Sequence, residues 1–306
     1  MLSYIIGHSL RKTFAMRSDG NPKLHYFFPE DFSCMSEDYS FRSGKNLLRG
    51  KKIYQKDKKA CKSAIIFFHG YAAGANAYMR EMCYFAARGY LVYCFDATGC
   101  MNSEGQGIED FAHLLMDVDA FFEYLKHDDD LGDKPLFAIG HSWGGTAVKY
   151  CLDPKFPVQR CVSLAGMVSC SDTYMKKGHL PNFFLNPMRR YLKRHYGNKA
   201  ISDFEDIEHA SKPFLYVYGD QDKTIPAFDY GQQISQYSQQ NPNVFTYLAK
   251  HRGHQCYWTE KGCKYFEGLI KAGLTTLEGG PEIVCNYDLL YDDEQVMNVI
   301  IDFLNR

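Results

Sequence analysis

The sequence predicts an α/β protein with a mostly parallel sheet flanked by helices, an antiparallel N-terminal hairpin and a small helical lid. Three observations lead there. Short apolar runs recur at residues 64–68, 91–95, 136–139, 161–164, 214–217 and 244–248, continuous rather than alternating. Strands buried on both faces, as in a parallel sheet between helices, must read this way. Longer segments of helical periodicity separate the runs, which is the pattern of βαβ units. Finally, residues 171–211 break the alternation, with no strand signal and with Pro181, Pro187 and Gly197 punctuating short aromatic segments. An insertion of this kind between two strands reads as a lid or cap.

Taken in order, residues 1–36 form an extension. Leu2, Ile5, Ile6, Leu10 and Phe14 recur at near-helical spacing, so a short amphipathic helix docked on the core is expected. The apolar patch is too short for a signal peptide or a membrane span. Residues 39–43 and 47–55 flank Gly44-Lys45-Asn46 and predict the edge hairpin. Residues 108–125 place Ile108, Phe111, Leu115, Val118, Phe122 and Leu125 on one helical face, with Glu109, Asp110, Asp117, Asp119 and Glu123 expected toward solvent. The core is thus assigned to 37–170 and 212–306, with the cap at 171–211. Residues 262–291 read as irregular ahead of a terminal helix over 293–304.

Composition bounds the function. The 306 residues carry 35 Lys+Arg and 36 Asp+Glu, a net charge of −1, without the basic excess of a dedicated nucleic-acid binder. Eleven cysteines form no Cys-x-x-Cys pair and sit mostly in apolar runs, so they read as small hydrophobes in a reducing, cytoplasmic setting. The aromatic content is high, at 22 Phe, 23 Tyr and 2 Trp. Such residues supply either a dense core or a greasy pocket.

The chemistry concentrates in Gly140-His141-Ser142-Trp143-Gly144, followed by Gly145. Alone, a Gly-x-Ser-x-Gly match arises by chance in roughly one chain in ten of this length. Here it directly follows a buried strand and opens a helix over 146–152, the setting that holds a serine on a strained turn with its hydroxyl exposed. A hydroxyl needs a base to take its proton, and the base needs an orienting carboxylate. Past the next strands lie Asp220 and Asp222, then His251 and His254, so all the candidates fall beyond C-terminal strand ends, where open α/β sheets bind ligands.

On these residues the chain resembles the α/β-hydrolases, in particular the lid-bearing esterase, monoglyceride-lipase and serine-aminopeptidase-like group, over about residues 37–306. His69-Gly70-Tyr71 resembles the oxyanion loop of that family. The stretch from Asp96 through Gly99 and Ser103 to Gly105 resembles its Asp-x-x-Gly-x-Gly-x-Ser loop, but with Met101 where glycine is usual. That loop is taken as structural. The resemblance implies Ser142 as nucleophile and Asp222 as acid, since Lys223-Thr224-Ile225-Pro226 follows it; Asp220 is the second candidate. It implies His254 as base, following Gly253, and leaves His251 at the surface. The N–H groups of Tyr71 and Trp143 are expected to face the oxyanion, while His69 and His141 brace loops. No cofactor or metal is called for, and no dinucleotide, phosphate-loop or zinc motif is present.

The expected reaction is hydrolysis of a small-molecule carboxylic ester with a hydrophobic acyl or aryl group. A peptidase or amidase using the same residues is the alternative, and a non-catalytic binding module a more distant one. An aminopeptidase needs a carboxylate near the pocket for the substrate's ammonium, and the cap carries only Asp172 before Asp203. The charge is uneven. Residues 1–62 sum to +7 (13 basic, 6 acidic) and 171–200 to +6 (7 against 1). Residues 63–170 sum to −6 (7 against 13) and 201–306 to −8 (8 against 16). If hairpin and lid share a face, they present a basic front suited to an anionic membrane surface.

Overall fold

The computed structural model describes residues 2–13, 16–20, 26–177, 180–272 and 291–306. Its centre is an eight-stranded sheet in the order β1-β2-β4-β3-β5-β6-β7-β8. The strands are β1 (Met35–Ser43), β2 (Asn46–Tyr54), β3 (Ser63–Phe68), β4 (Tyr90–Phe95), β5 (Leu136–His141), β6 (Val158–Leu164), β7 (Phe214–Gly219) and β8 (Val244–Ala249). β1 pairs antiparallel with β2 and β2 with β4, so the hairpin forms the edge; every later pairing is parallel. The six apolar runs are the six parallel strands. β4, β5 and β7 are buried along their whole length, so each must present apolar side chains to helices on both faces.

The helices are α1 (Leu2–Thr13), α2 (Met79–Ala86), α3 (Leu114–Leu125), α4 (Gly144–Tyr150), α5 (Cys170–Lys177), α6 (Leu185–Tyr196), α7 (Glu205–Glu208), α8 (Ala227–Ser238), α9 (Glu260–Lys271) and α10 (Glu294–Leu304). The chain moves from β3 outward to β4, then returns to β5 on the other side of β3 and proceeds to β8. The order of connection therefore reverses between β3 and β5, and the crevice beyond their C-terminal ends is where such a sheet accepts a ligand. None of the helices among the described residues is long and apolar enough to cross a membrane. Ten cysteines are buried and outside any disulfide; Cys285 lies outside the described residues.

Several expectations change. The extension does form a helix, but α1 docks on α6 of the cap rather than on the sheet, with Gly7 against the Tyr191 ring, where a Cβ would sit 2.3 Å from a ring carbon. Strand β1 begins at Met35, ahead of the boundary drawn at 37. Asp110 and Asp117 are fully buried instead of facing solvent. Asp117 accepts from Ser43 Oγ, Thr98 N and Thr98 Oγ1, and Asp110 caps a short 3-10 turn while accepting from Tyr191 and Tyr196 of the cap. Buried carboxylates persist where donors converge on them, a tertiary effect that periodicity does not carry. Helix α9 occupies part of the stretch expected to be irregular; residues 273–290 lie outside the described residues.

Another buried carboxyl joins α2 to the segments around Trp258 and Asp292. Glu81 accepts from Trp258 Nε1 at 3.0 Å and abuts Asp292, whose segment bridges Trp258. Burial raises both groups, Asp292 well above the usual carboxylate range, with the charge of Glu81 adding to it. Groups that hold protons more tightly when folded contribute stability below their unfolded pKa of about 4, and that contribution is lost as pH rises through the folded values. Glu81→Gln is thus expected to gain Tm relative to the native protein more at pH 8 than at pH 5. Equal shifts in thermal unfolding at both pH values would contradict this.

Candidate active site

Four loops beyond the C-terminal ends of β3, β5, β7 and β8 bring His69–Tyr71, Ser142, Asp222 and His254 to one edge of the sheet. Ser142 sits at φ 55, left-handed for a residue with a Cβ, on the tight turn between β5 and α4. Its neighbours explain the glycines. A Cβ on Gly140 would lie 2.5 Å from Gly144 O, one on Gly144 2.2 Å from Phe68 O, and one on Gly145 2.3 Å from Gly166 Cα. Helix, strand and turn approach more closely than any side chain permits, which holds the serine in its strained conformation. Its backbone is fixed by Ser142 N–H to Leu164 O at 3.0 Å and Met167 N–H to Ser142 O at 2.8 Å.

His254 and Asp222, the expected base and acid, come together with it. His254 Nε2 lies 2.8 Å from Ser142 Oγ, and His254 Nδ1 lies 2.7 Å from Asp222 Oδ2. The Asp222 side chain is fully buried and its other oxygen accepts from Thr224 N (2.8 Å) and Ile225 N (3.2 Å). This is why the acid precedes a short turn into Ile225-Pro226: the turn's amides satisfy the oxygen that the histidine does not. Asp220 is exposed, and His251 is exposed at φ 58. The two loops are drawn together by Gln221 N–H to Arg252 O at 2.9 Å, with Gly219 so close that a Cβ would meet Arg252 O at 2.2 Å.

Tyr71 and Trp143 flank the serine. Trp143 follows Ser142 directly in the chain and is the N-cap of α4. Gly70 packs against the serine, since a Cβ there would be 3.5 Å from Ser142 Cβ. The Tyr71 ring lies edge-on to Trp143 (5.8 Å) and Phe111 (5.1 Å), and Trp143 Nε1 donates to Phe111 O at 2.8 Å. Phe111 in turn stacks near Tyr174 of the cap at 5.0 Å. Ring contacts therefore run from Trp143, next to Ser142 in the chain, through Tyr71 and Phe111 to Tyr174.

The two other histidines are structural. His69 is buried, its Nδ1 facing Gly70 O (2.7 Å) and its Nε2 accepting from Ala97 N (3.0 Å). Burial pushes it below the ordinary imidazole range. His141 is held well below the ordinary imidazole range by burial, then by the adjacent His254. It links three loops: Gly70 N–H donates to Tyr78 OH (3.0 Å), Tyr78 OH to His141 Nδ1 (2.8 Å), and His141 Nε2 to the His254 carbonyl (3.0 Å). Tyr78 carried no signal in the sequence beyond being aromatic. Removing its hydroxyl strands two buried polar groups, each costing ~1–3 kcal/mol. Tyr78→Phe is expected to lower stability by about 2 kcal/mol in urea unfolding, and an unchanged midpoint would contradict the linkage.

The segment expected to form a cap lies between β6 and β7, and its helix α6 turns Met188, Tyr191 and Leu192 inward and Arg190, Lys193 and Arg194 outward. A cleft of about 350 Å³ at its base is bordered by Asp172, Arg189, Asp203, Asp229 and Tyr230. Asp203 pairs with Arg189 and keeps one buried oxygen without a hydrogen-bond partner, while Asp172 accepts from Tyr230 OH at 2.8 Å.

Residues 59–212 match the hydrolase family described as serine aminopeptidase, S33, just over half of the chain. The lysophosphatidylserine lipase ABHD12 of Danio rerio is 25% identical over 206 residues, 62% of this chain and 51% of that protein, so the chain spans about half the length of the curated relative it matches. Among solved structures, the Pyrococcus furiosus esterase Pf2001 aligns with a TM-score of 0.60 at 18% identity, covering 83% of this chain and 96% of the esterase. Est1E of Butyrivibrio proteoclasticus, solved with ferulic acid, gives 0.58 at 17% identity, over 78% and 96%. An acylaminoacyl peptidase of Pyrococcus horikoshii gives 0.55 at 19% identity, over 81% and 43%. At these identities the structural likeness is one of fold.

Proposed function

The chain belongs to the α/β-hydrolase superfamily, and from that membership we propose that it is a serine hydrolase cleaving a carboxylic ester with a hydrophobic acyl or aryl group. The observation that carries this is the pair of contacts from His254, 2.8 Å to Ser142 Oγ and 2.7 Å to Asp222 Oδ2. His254 Nε2 takes the Ser142 proton as Oγ attacks the ester carbonyl, and Asp222 holds the ring with Nδ1–H toward itself. The N–H groups of Trp143 and Tyr71 receive the oxyanion, an interaction worth several kcal/mol when preorganised. His254 then protonates the departing alkoxide, leaving an acyl-enzyme that water hydrolyses by the same proton route. The run of rings from Trp143, next to Ser142, through Tyr71 and Phe111 to Tyr174 supports an apolar acyl or aryl group, and the name of the lipase above agrees with an ester.

The test is a series of p-nitrophenyl esters of increasing chain length run beside aminoacyl-nitroanilides. The proposal expects esters to be cleaved with rates that vary with acyl length; flat rates, or faster anilide cleavage, would count against it. One observation favours the peptidase reading. The carboxylates of Asp172, Asp203 and Asp229, from three separate segments, border the cleft at the base of the cap, which is what a substrate ammonium would need. Preference for the anilides would select it.

We also propose contact with anionic lipid, now confined to the cap. Lys52 and Lys58 of the hairpin region are paired with Asp128 and Asp130 from outside it, which offsets two of the seven net positive charges counted there. Arg190, Lys193 and Arg194 remain exposed on α6, with Phe183 67% exposed beside its start. Sedimentation with anionic vesicles is expected to weaken as salt rises; absence of binding at low salt would contradict it. The buried thiols support a reducing, cytoplasmic compartment.

A further inference from the structure

Residues 16–20 lie outside both the stretch that resembles a known family and the stretch that matches one. They nevertheless touch the loops that follow β3 and β4. Ser18 N–H donates to Gly99 O (2.9 Å) and Met101 N–H donates to Ser18 O (2.7 Å), a parallel bridge onto the loop after β4. The Arg17 guanidinium donates to three carbonyls of that loop, Met101 (2.8 Å), Ser103 (2.9 Å) and Gly105 (2.7 Å), and also pairs with Asp19. Only the planar, multi-donor fork of arginine can satisfy so many acceptors at once. Ser18 Oγ then donates to Ala72 O at 2.5 Å, one residue past Tyr71.

Two features make this more than surface packing. Ala72 (φ 59) and Met101 (φ 44), one in each of these loops, are non-glycine residues in the left-handed region. Such conformations persist where the surroundings over-determine them. Ser18 holds both, its hydroxyl on the Ala72 carbonyl and its own carbonyl on the Met101 N–H. The second feature is Met101 itself, which stands where the resemblance expects glycine. Its side chain is lodged between the extension and the oxyanion loop: a Cβ on Gly74 would lie 2.2 Å from Met101 Cγ, and one on Gly20 3.0 Å from its sulfur. The departure from the family pattern and the added N-terminal segment thus form one interlocking contact.

We propose that Arg17, Ser18 and Met101 are positioning residues that hold the 69–74 loop so that Tyr71 N–H faces the oxyanion, an inference that rests on the serine-hydrolase reading. None of them touches substrate; they act through Ala72 and Gly74. Small displacements of an oxyanion donor cost turnover more than binding, because the donor acts on charge that develops in the transition state.

The experiment compares Ser18→Ala, Ser18→Thr and Arg17→Ala with the native chain on a p-nitrophenyl ester, with kcat expressed per site labelled by a fluorophosphonate. Ser18→Ala is expected to lower kcat ~5–10-fold with KM within about twofold. Ser18→Thr, which keeps the hydroxyl, is expected to restore most of it, and amide exchange over residues 70–74 is expected to quicken in Ser18→Ala alone of these two. Native kcat per labelled site in both Ser18→Ala and Arg17→Ala would overturn the positioning role, even if Tm fell. Failure of the native protein to label would instead overturn the serine-hydrolase reading, and the positioning role with it.

Discussion

Ser142→Ala is expected to lower kcat on a p-nitrophenyl ester by about 10⁴-fold or more while leaving the fold intact. The size follows from what the hydroxyl does. His254 Nε2 lies 2.8 Å from it, and under the proposed mechanism its loss leaves the oxyanion donors only to bind and polarise the ester for attack by water. The substitution should be structurally mild. Alanine takes up the same turn, and the backbone bonds of residue 142 to Leu164 and Met167 need no side chain. A variant retaining more than a tenth of the activity would require another nucleophile.

Asp222→Asn is expected to cost ~10⁴-fold in kcat, and Asp220→Asn less than about threefold. The contrast separates two carboxylates that stand two residues apart in sequence. Asp222 Oδ2 accepts from His254 Nδ1 at 2.7 Å from a fully buried side chain, whereas Asp220 lies in solvent. An amide at 222 offers the ring a donor as readily as an acceptor, and so allows the wrong tautomer for proton uptake at Nε2. Steady-state kinetics of the two variants decide it. Similar losses at both positions would mean that the loop, not the specific hydrogen bond, is what matters.

Much of this architecture is legible from residue order because the information is local. Six apolar runs become six parallel strands, and the glycines around Ser142 mark a turn that the structure shows is too crowded for any Cβ. What was not legible depends on distant partners. Asp110 and Asp117 read as solvent-facing by periodicity, yet Ser43, Thr98 and two cap tyrosines supply the donors that bury them. Tyr78 is one aromatic among many until its hydroxyl is found between Gly70 and His141. The hairpin lysines count as a positive block in sequence, whereas in space they face Asp128 and Asp130, over seventy positions away. The docking of α1 on α6, not on the sheet, is likewise a matter of where the cap folds back, which no periodicity encodes.

The most direct test of the central claim is covalent: reaction of the folded protein with a fluorophosphonate, followed by intact mass and peptide mapping. An activated serine displaces fluoride and forms a phosphonyl ester on Oγ, with the proton taken by the histidine. The account predicts one adduct per chain, located on Ser142, lost in Ser142→Ala and formed far more slowly in His254→Ala. No adduct, or an adduct that maps to another residue and survives Ser142→Ala, would contradict it.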